Sequence, residues 1–198
     1  MNDYIGQANL YGGLNANLTL DRFNKPYSAI GLYQGYYQLT DYYFNYTQFT
    51  VMAWVKLRSQ KYYQRLIEFG NDADMDNIFF ALNSGSTYFP SFSVYKGSNR
   101  QDESISNSSL IIDQWTHIAF VLDINFGYIF MNGTQTSFSS NVLSPNFISR
   151  VSNYVGRSNF RLTAGDSDTD ADIDELKICN KALTSDQIKF EMNNDLFL

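Results

Sequence analysis

The stretch Phe49-Thr-Val-Met-Ala-Trp-Val-Lys-Leu57 alternates two sets of side chains. Every second residue from Phe49 onwards is apolar, and the residues between them are mixed in character. In a β-strand successive side chains point to opposite faces of the sheet, so the apolar set shares one face. The stretch therefore predicts a strand with one face in a hydrophobic core.

Similar short runs follow one another along the chain, separated by Gly, Asn, Asp and Ser. Such spacing predicts many short strands. The further candidates are residues 15–20, 28–32, 36–40, 65–69, 78–82, 91–95, 116–123, 128–132, 152–156 and 174–179. Helical signals occur once, where Thr184 fits an N-cap and Gln187 its capping-box partner, which predicts a short helix from about Ser185 to Met192. This pattern predicts an all-β fold, a two-sheet antiparallel jelly-roll sandwich with one short C-terminal helix.

Length and composition narrow the class of protein. The 198 residues suit a single domain over residues 1–198, and 44% hydrophobic residues are too many for a disordered chain. The net charge is -6 and basic residues are scattered, which argues against nucleic-acid binding. No run approaches the roughly 18 apolar residues of a membrane span. Cys179 is the single cysteine, so we expect no internal disulfide and no thiolate metal site.

Several motifs, in order, resemble laminin-G-like jelly-roll domains of the concanavalin A-like lectin/glucanase superfamily. They cover nearly the whole chain: Asp3-Tyr-Ile-Gly6 with Ala16 to Phe23, Phe49 to Lys56, Trp115-Thr-His117, Tyr128 to Gly133, Val155-Gly-Arg157, and Ile173 to Thr184. The resemblance implies an extracellular or cell-surface recognition module that binds glycan or protein without catalysis. An interaction subunit of a larger assembly is the alternative, and a glycoside hydrolase is a remote one.

The resemblance also has departures. Members of the family carry a strand just before the motif that Asp3 opens, and here only Met1 and Asn2 precede it. We therefore expect a domain that lacks its first strand and belongs to a longer chain or assembly. No signal peptide is visible, so the extracellular location rests on the resemblance alone.

The segment Asp166-Ser-Asp-Thr-Asp-Ala-Asp-Ile-Asp174 places an aspartate at every second position. Five carboxylates on one strand face repel one another unless they are solvated or bound to a cation. The resemblance implies a structural calcium ion (Ca2+) at the sandwich edge, with Asp174 and Asp3 as its ligands and Asp172 as a borderline one. The alternative is that Asp174 accepts backbone hydrogen bonds and no ion is present. We expect the stretch from Asp166 to Asp170 to be a solvated acidic loop.

Tyrosine is abundant, with 15 copies. Its ring offers a flat apolar face and its hydroxyl a hydrogen bond, which suits sugar stacking or a protein interface. The candidate ligand-binding residues are Tyr36, Tyr37, Tyr62, Tyr63 and Tyr88. The alternative is that these tyrosines cover the ends and half-buried faces of the sandwich.

Catalytic signals are weak. Glucanases of the superfamily use closely spaced acidic residues on one strand, and we find no complete run of that kind. His117 is the only histidine and matches a packed strand position of the family, so no enzymatic activity is expected. Asn17, Asn45, Asn107 and Asn132 lie in glycosylation sequons, although about three would arise by chance in a chain this rich in Asn, Ser and Thr.

Overall fold

The computed structural model describes residues 9–43, 46–85, 87–100 and 102–194. In these residues the chain forms β1 (Leu10–Thr19), β2 (Ala29–Leu39), β3 (Tyr42–Tyr43), β4 (Gln48–Leu57), β5 (Arg65–Phe69), β6 (Ile78–Ser84), β7 (Phe89–Lys96), β8 (Asn99–Arg100), β9 (Ser104–Ile105), β10 (Thr116–Asp123), β11 (Phe126–Met131), β12 (Thr134–Ser139), β13 (Ser149–Arg150), β14 (Tyr154–Val155), α1 (Arg161–Ala164), β15 (Thr169–Cys179) and α2 (Ser185–Asn193). No helix among these is long and apolar enough to cross a membrane.

The strands form a curled antiparallel sheet in the order β12-β11-β10-β4-β15-β2-β14-β5-β6-β7-β8. Strand β2 joins the two layers of the curl. Its residues Ile30 to Gly35 pair with β15, and Tyr37 and Gln38 pair with β14, while β1 pairs along its other edge. The sheet thereby folds over itself into a jelly roll, which confirms the predicted fold class.

The core lies between the two layers. Phe80 of β6 packs with its ring centroid 5.9 Å from that of Phe49 in β4 and 5.4 Å from that of Phe120 in β10. Phe92 of β7 contacts Phe120 from the same side at 6.1 Å. These rings are fully buried, and they connect one layer to the other. The strand at 49–57 does turn its Phe49 face inwards, as its alternation predicts.

Helix α2 covers the outer face of β4 and β10. Leu183 and Ile188 are buried there against a second apolar cluster. The capping box is present: the Thr184 hydroxyl accepts a hydrogen bond from the Gln187 backbone N–H, and the Gln187 side chain accepts one from the Thr184 N–H. The helix predicted from these two residues is confirmed.

Strand β2 differs from the sequence prediction, which separated 28–32 from 36–40. The chain passes through Gln34 and Gly35 as an irregularity within one strand, with Gln34 at φ 53°. A Cβ on Gly35 would lie 2.2 Å from the Asn15 carbonyl oxygen, so only glycine fits against β1 there. The Gln-Gly pair therefore marks a bulge rather than a turn.

We predict that Phe80→Ala lowers the free energy of unfolding by about 3–5 kcal/mol, because it opens a cavity between the layers. Urea denaturation measures the loss. Phe190→Ala, at a ring that is 66% exposed on α2, is the control and should change stability by less than about 0.5 kcal/mol. Equal effects of the two changes would contradict this placement of the core.

Candidate functional site

Both tryptophans of the sequence line one groove on the outer face of the β10-β4-β15 layer. The groove encloses about 350 Å3. Its walls come from the loop after β1, from β4, from the residue before β10 and from the end of α2: Arg22, Phe23, Trp54, Trp115, Met192 and Asn193. A larger hollow of about 570 Å3 at the start of β1 has Tyr11 as its one aromatic ring among the described residues.

Trp54 reaches the groove because of its place in β4. Its neighbours Ala53 and Val55 are buried in the core, so strand alternation turns Trp54 outwards. On one side it lies opposite His117 of β10, whose ring meets the indole edge-on at 5.4 Å. On the other side it lies opposite Asp174 of β15.

Arg22 forms the polar floor beside Trp54. Its guanidinium lies 4.6 Å from the Phe23 ring centroid and 5.1 Å from that of Trp54, within the range of cation–π contact. The same group bonds the Asp174 carboxylate at 2.5 Å. Burial raises the pKa of Asp174, although the hydrogen bond and charge of Arg22 act in the opposite direction. Arg22 is thus held between two rings and a carboxylate.

Lys56 repeats this arrangement beside the second tryptophan. Its ammonium lies 5.2 Å from the Trp115 ring centroid and 2.9 Å from the Asp172 carboxylate. Lys56 and Asp172 are direct register partners across β4 and β15. Arg58, the residue directly after β4, bonds the other oxygen of Asp172. Arg22, Lys56 and Arg58 therefore each have a carboxylate of β15 as a partner.

The rest of the aspartate row is paired as well. Asp170 contacts Arg58 at 3.3 Å and accepts a hydrogen bond from the Ser59 hydroxyl at 2.8 Å. Asp168 binds Arg157 through both oxygens, at 2.9 and 2.7 Å. These carboxylates are mostly buried rather than freely solvated.

Asp166 is the most enclosed of these three. It accepts hydrogen bonds from Arg65 at 2.8 Å and from Ser158 at 2.6 Å, within a buried network that includes Glu68. The prediction of a solvated acidic loop from Asp166 to Asp170 is therefore wrong. The arginines that bind these residues come from the position after β4, from β5 and from the segment after β14, and sequence spacing alone does not reveal them.

Two of the carboxylates that were predicted to bind calcium are already paired with basic side chains. Arg22 and Lys56 already supply positive charge to Asp174 and Asp172 at this edge. No group of three or more acidic, histidine or cysteine side chains suited to a metal occurs in the described ranges. Asp3 lies outside those ranges, and calcium stays a prediction.

The candidate tyrosines do not share one set of contacts. Arg157 stacks 3.3 Å above the Tyr36 ring, and Tyr154 meets that ring edge-on. Tyr37 packs against the hydrophobic core. The Tyr62 and Tyr63 rings meet edge-on at 4.9 Å. Tyr88 is exposed.

The tryptophans were missed as ligand-binding candidates, although a signal existed. Trp54 occupies the face of 49–57 opposite the buried set, where a large indole needs an explanation. Among the sequons, the Asn132 side chain accepts a hydrogen bond from the His117 N–H, while Asn17 and Asn107 are exposed. Asn45 lies outside the described residues.

Comparison with known proteins identifies the family. The sequence matches the laminin-G-3 model, described as the concanavalin A-like lectin/glucanases superfamily, over residues 32–189. The chain belongs to this family. A comparison with curated protein sequences finds no significant match.

Several solved structures have a similar fold. Domain 4 of a GH43 extracellular arabinanase from Geobacillus stearothermophilus, in complex with arabinotriose, is similar with a TM-score of 0.66 and 19% identity, over 92% of this chain and 88% of that one. The binding domain of Paraclostridial Mosquitocidal Protein 1 is similar with a TM-score of 0.65 and 14% identity, over 94% of this chain and 47% of that one. A putative carbohydrate binding protein from Bacteroides ovatus is similar with a TM-score of 0.59 and 14% identity, over 78% of this chain and 44% of that one. At these identities the likeness concerns the fold.

The pKa of His117 lets us predict how the stability of the fold depends on pH. Burial, followed by the charges of Lys177 and Arg22, lowers the pKa of His117 from 6.5 to about 4. Between these values the unfolded chain binds a proton that the folded chain does not. Stability should therefore fall as the pH drops from about 6.5 to 4, by up to about 3 kcal/mol from this residue.

Urea denaturation of the wild type and of His117→Gln, at neutral pH and near pH 4.5, measures this effect. The variant should lose less stability on acidification, since glutamine does not titrate. Parallel pH profiles for the two proteins would show that His117 is not the group responsible.

Proposed function

We propose that this laminin-G-3 domain is a non-catalytic carbohydrate-binding module whose ligand stacks on Trp54 and Trp115. The observation that carries the proposal is that the only two tryptophans of the chain line one groove. Indole rings offer flat apolar faces to the C–H faces of sugars, and the adjacent Arg22 and Asn193 can bond hydroxyls. A few polar groups on an aromatic surface are typical of binding sites for small polar ligands.

The structural relatives support this class of ligand. One is a domain bound to arabinotriose and another is described as a putative carbohydrate binding protein. The groove volume of about 350 Å3 lies at the small end of ligand pockets, which suits a short stretch of glycan rather than a protein surface.

The charges at the groove support binding without hydrolysis. A glycosidase needs one carboxyl that donates a proton to the glycosidic oxygen and a second that attacks or activates water. Asp172 and Asp174 are only 5% and 6% exposed and are held by Lys56, Arg58 and Arg22. Neither carboxylate is presented to a bound sugar.

We further propose that the domain lies outside the cell or at its surface. The support is the family resemblance together with the exposure of the sequon residues Asn17 and Asn107. By binding glycans there, the module would bring a longer chain or an assembly to surfaces that carry those glycans.

Glycan binding is tested on an array of neutral oligosaccharides, followed by titration calorimetry of the strongest ligand. Trp54→Ala and Trp115→Ala should each weaken binding about tenfold, because each removes a stacking ring. Phe190→Ala, an exposed ring outside the groove lining, is the matched control and should bind like the wild type. Circular dichroism verifies that each variant is folded. No array signal, or full affinity in Trp115→Ala, would overturn the proposal.

The calcium prediction is tested by melting the protein with and without a chelator. An ion that binds only the folded state raises the melting midpoint, so chelation should lower the midpoint and added calcium should restore it. An unchanged midpoint would refute a structural calcium ion and leave the arginine and lysine partners as the counter-charges of Asp174 and Asp172.

A further inference from the structure

Arg22 lines the groove, Lys56 lies against the Trp115 ring, and Arg58 lies two residues beyond Lys56 in the sequence; each of these cations has a carboxylate of β15 as its partner. Arg22 pairs with Asp174, while Lys56 and Arg58 pair with Asp172. We propose that Asp172 and Asp174 make this groove selective for neutral glycans over acidic ones. The inference rests on the proposed function, since it names the ligand class of the same site.

Because Asp172 and Asp174 are buried, they bind the neighbouring cations more strongly than an anionic group of a ligand would. Asp172 and Asp174 are 5% and 6% exposed, whereas Lys56 is 29% exposed. A sulfate or uronate of an acidic glycan would have to take Lys56 from a carboxylate that is already desolvated. Removing one partner from such a pair leaves a charge uncompensated at low dielectric, which is costly. The cations are thus unavailable to an anionic ligand.

The sheet register makes this neutralisation permanent. Lys56 stands directly opposite Asp172, and Trp54 directly opposite Asp174. The inward neighbours Ala171 and Ile173 are buried in the core, so β15 cannot shift without moving its apolar residues. The aromatic rings therefore remain beside a charge-balanced surface, which suits hydroxyl-rich, uncharged sugars.

The experiment removes one carboxylate at a time: Asp172→Asn takes the partner of Lys56 and leaves Arg58 with Asp170, and Asp174→Asn takes the carboxylate that Arg22 binds. Wild type, Asp172→Asn and Asp174→Asn are passed over immobilised heparin, a polyanionic glycan, at low salt and with chelator so that no metal bridges. Asp102→Asn is the matched control, because it changes the net charge equally at an exposed site between β8 and β9. Denaturation curves confirm that each variant is folded.

We expect wild type and Asp102→Asn to elute together near the void volume. Asp172→Asn should bind heparin about tenfold more strongly, and salt should abolish the gain. The double variant Lys56→Gln, Asp172→Asn should lose most of this gain, since the Lys56 ammonium is gone and Arg58 keeps its contact with Asp170. The same proteins are assayed on the neutral array, where Asp102→Asn should keep the ligands of the wild type.

Heparin binding by the wild type, or equal retention of Asp172→Asn and Asp102→Asn, would overturn the inference. If Asp172→Asn does not fold, Asp174→Asn decides by the same comparison, because it removes the carboxylate that Arg22 binds at 2.5 Å. A wild type that binds no neutral glycan would overturn the proposed function instead, whatever the heparin column shows.

Discussion

The pairing of β15 with β4 is the interaction on which the rest of the structure depends. On its inner face β15 places Ala171 and Ile173 in the core between the layers. On its outer face the alternating aspartates meet Lys56 of β4 and Arg58, the residue that follows β4. One strand thus contributes both to the apolar core and to a row of ion pairs, and the period of two that separates its faces makes this arrangement possible.

The ion pairs also shape the groove. Lys56 and Arg22 each bridge a carboxylate and an indole, so the tryptophans are held on a polar surface that is already satisfied. Binding would then require little reorganisation of the protein, which lowers the entropic cost of ordering side chains around a ligand. His117 adds a buried, uncharged neighbour to Trp54, and its Nδ1 has no hydrogen-bond partner within the described part of the chain.

Much of the fold could be predicted from local patterns. The strands at 65–69 and 116–123 and the capped helix after Thr184 have the predicted positions, because alternation and capping act between near neighbours in sequence. The break expected at Gln34 is instead a bulge, and β12 was missed because its sequence, from Thr134 to Ser139, is polar at a sheet edge. Local propensity cannot separate a turn from a bulge that another strand supports.

By itself the sequence determined the all-β class, the family and an outward-facing Trp54, since each depends on residue order and spacing. Only the tertiary structure decided which basic side chains the aspartates pair with and which residues line the groove. Arg22 is 152 residues from Asp174, and Trp54 and Trp115 lie in separate segments, so their contacts exist only once the sheet has folded. The role of a row of acidic residues cannot be predicted until its counter-charges are known, because solvent, a metal ion or an arginine can each satisfy a carboxylate.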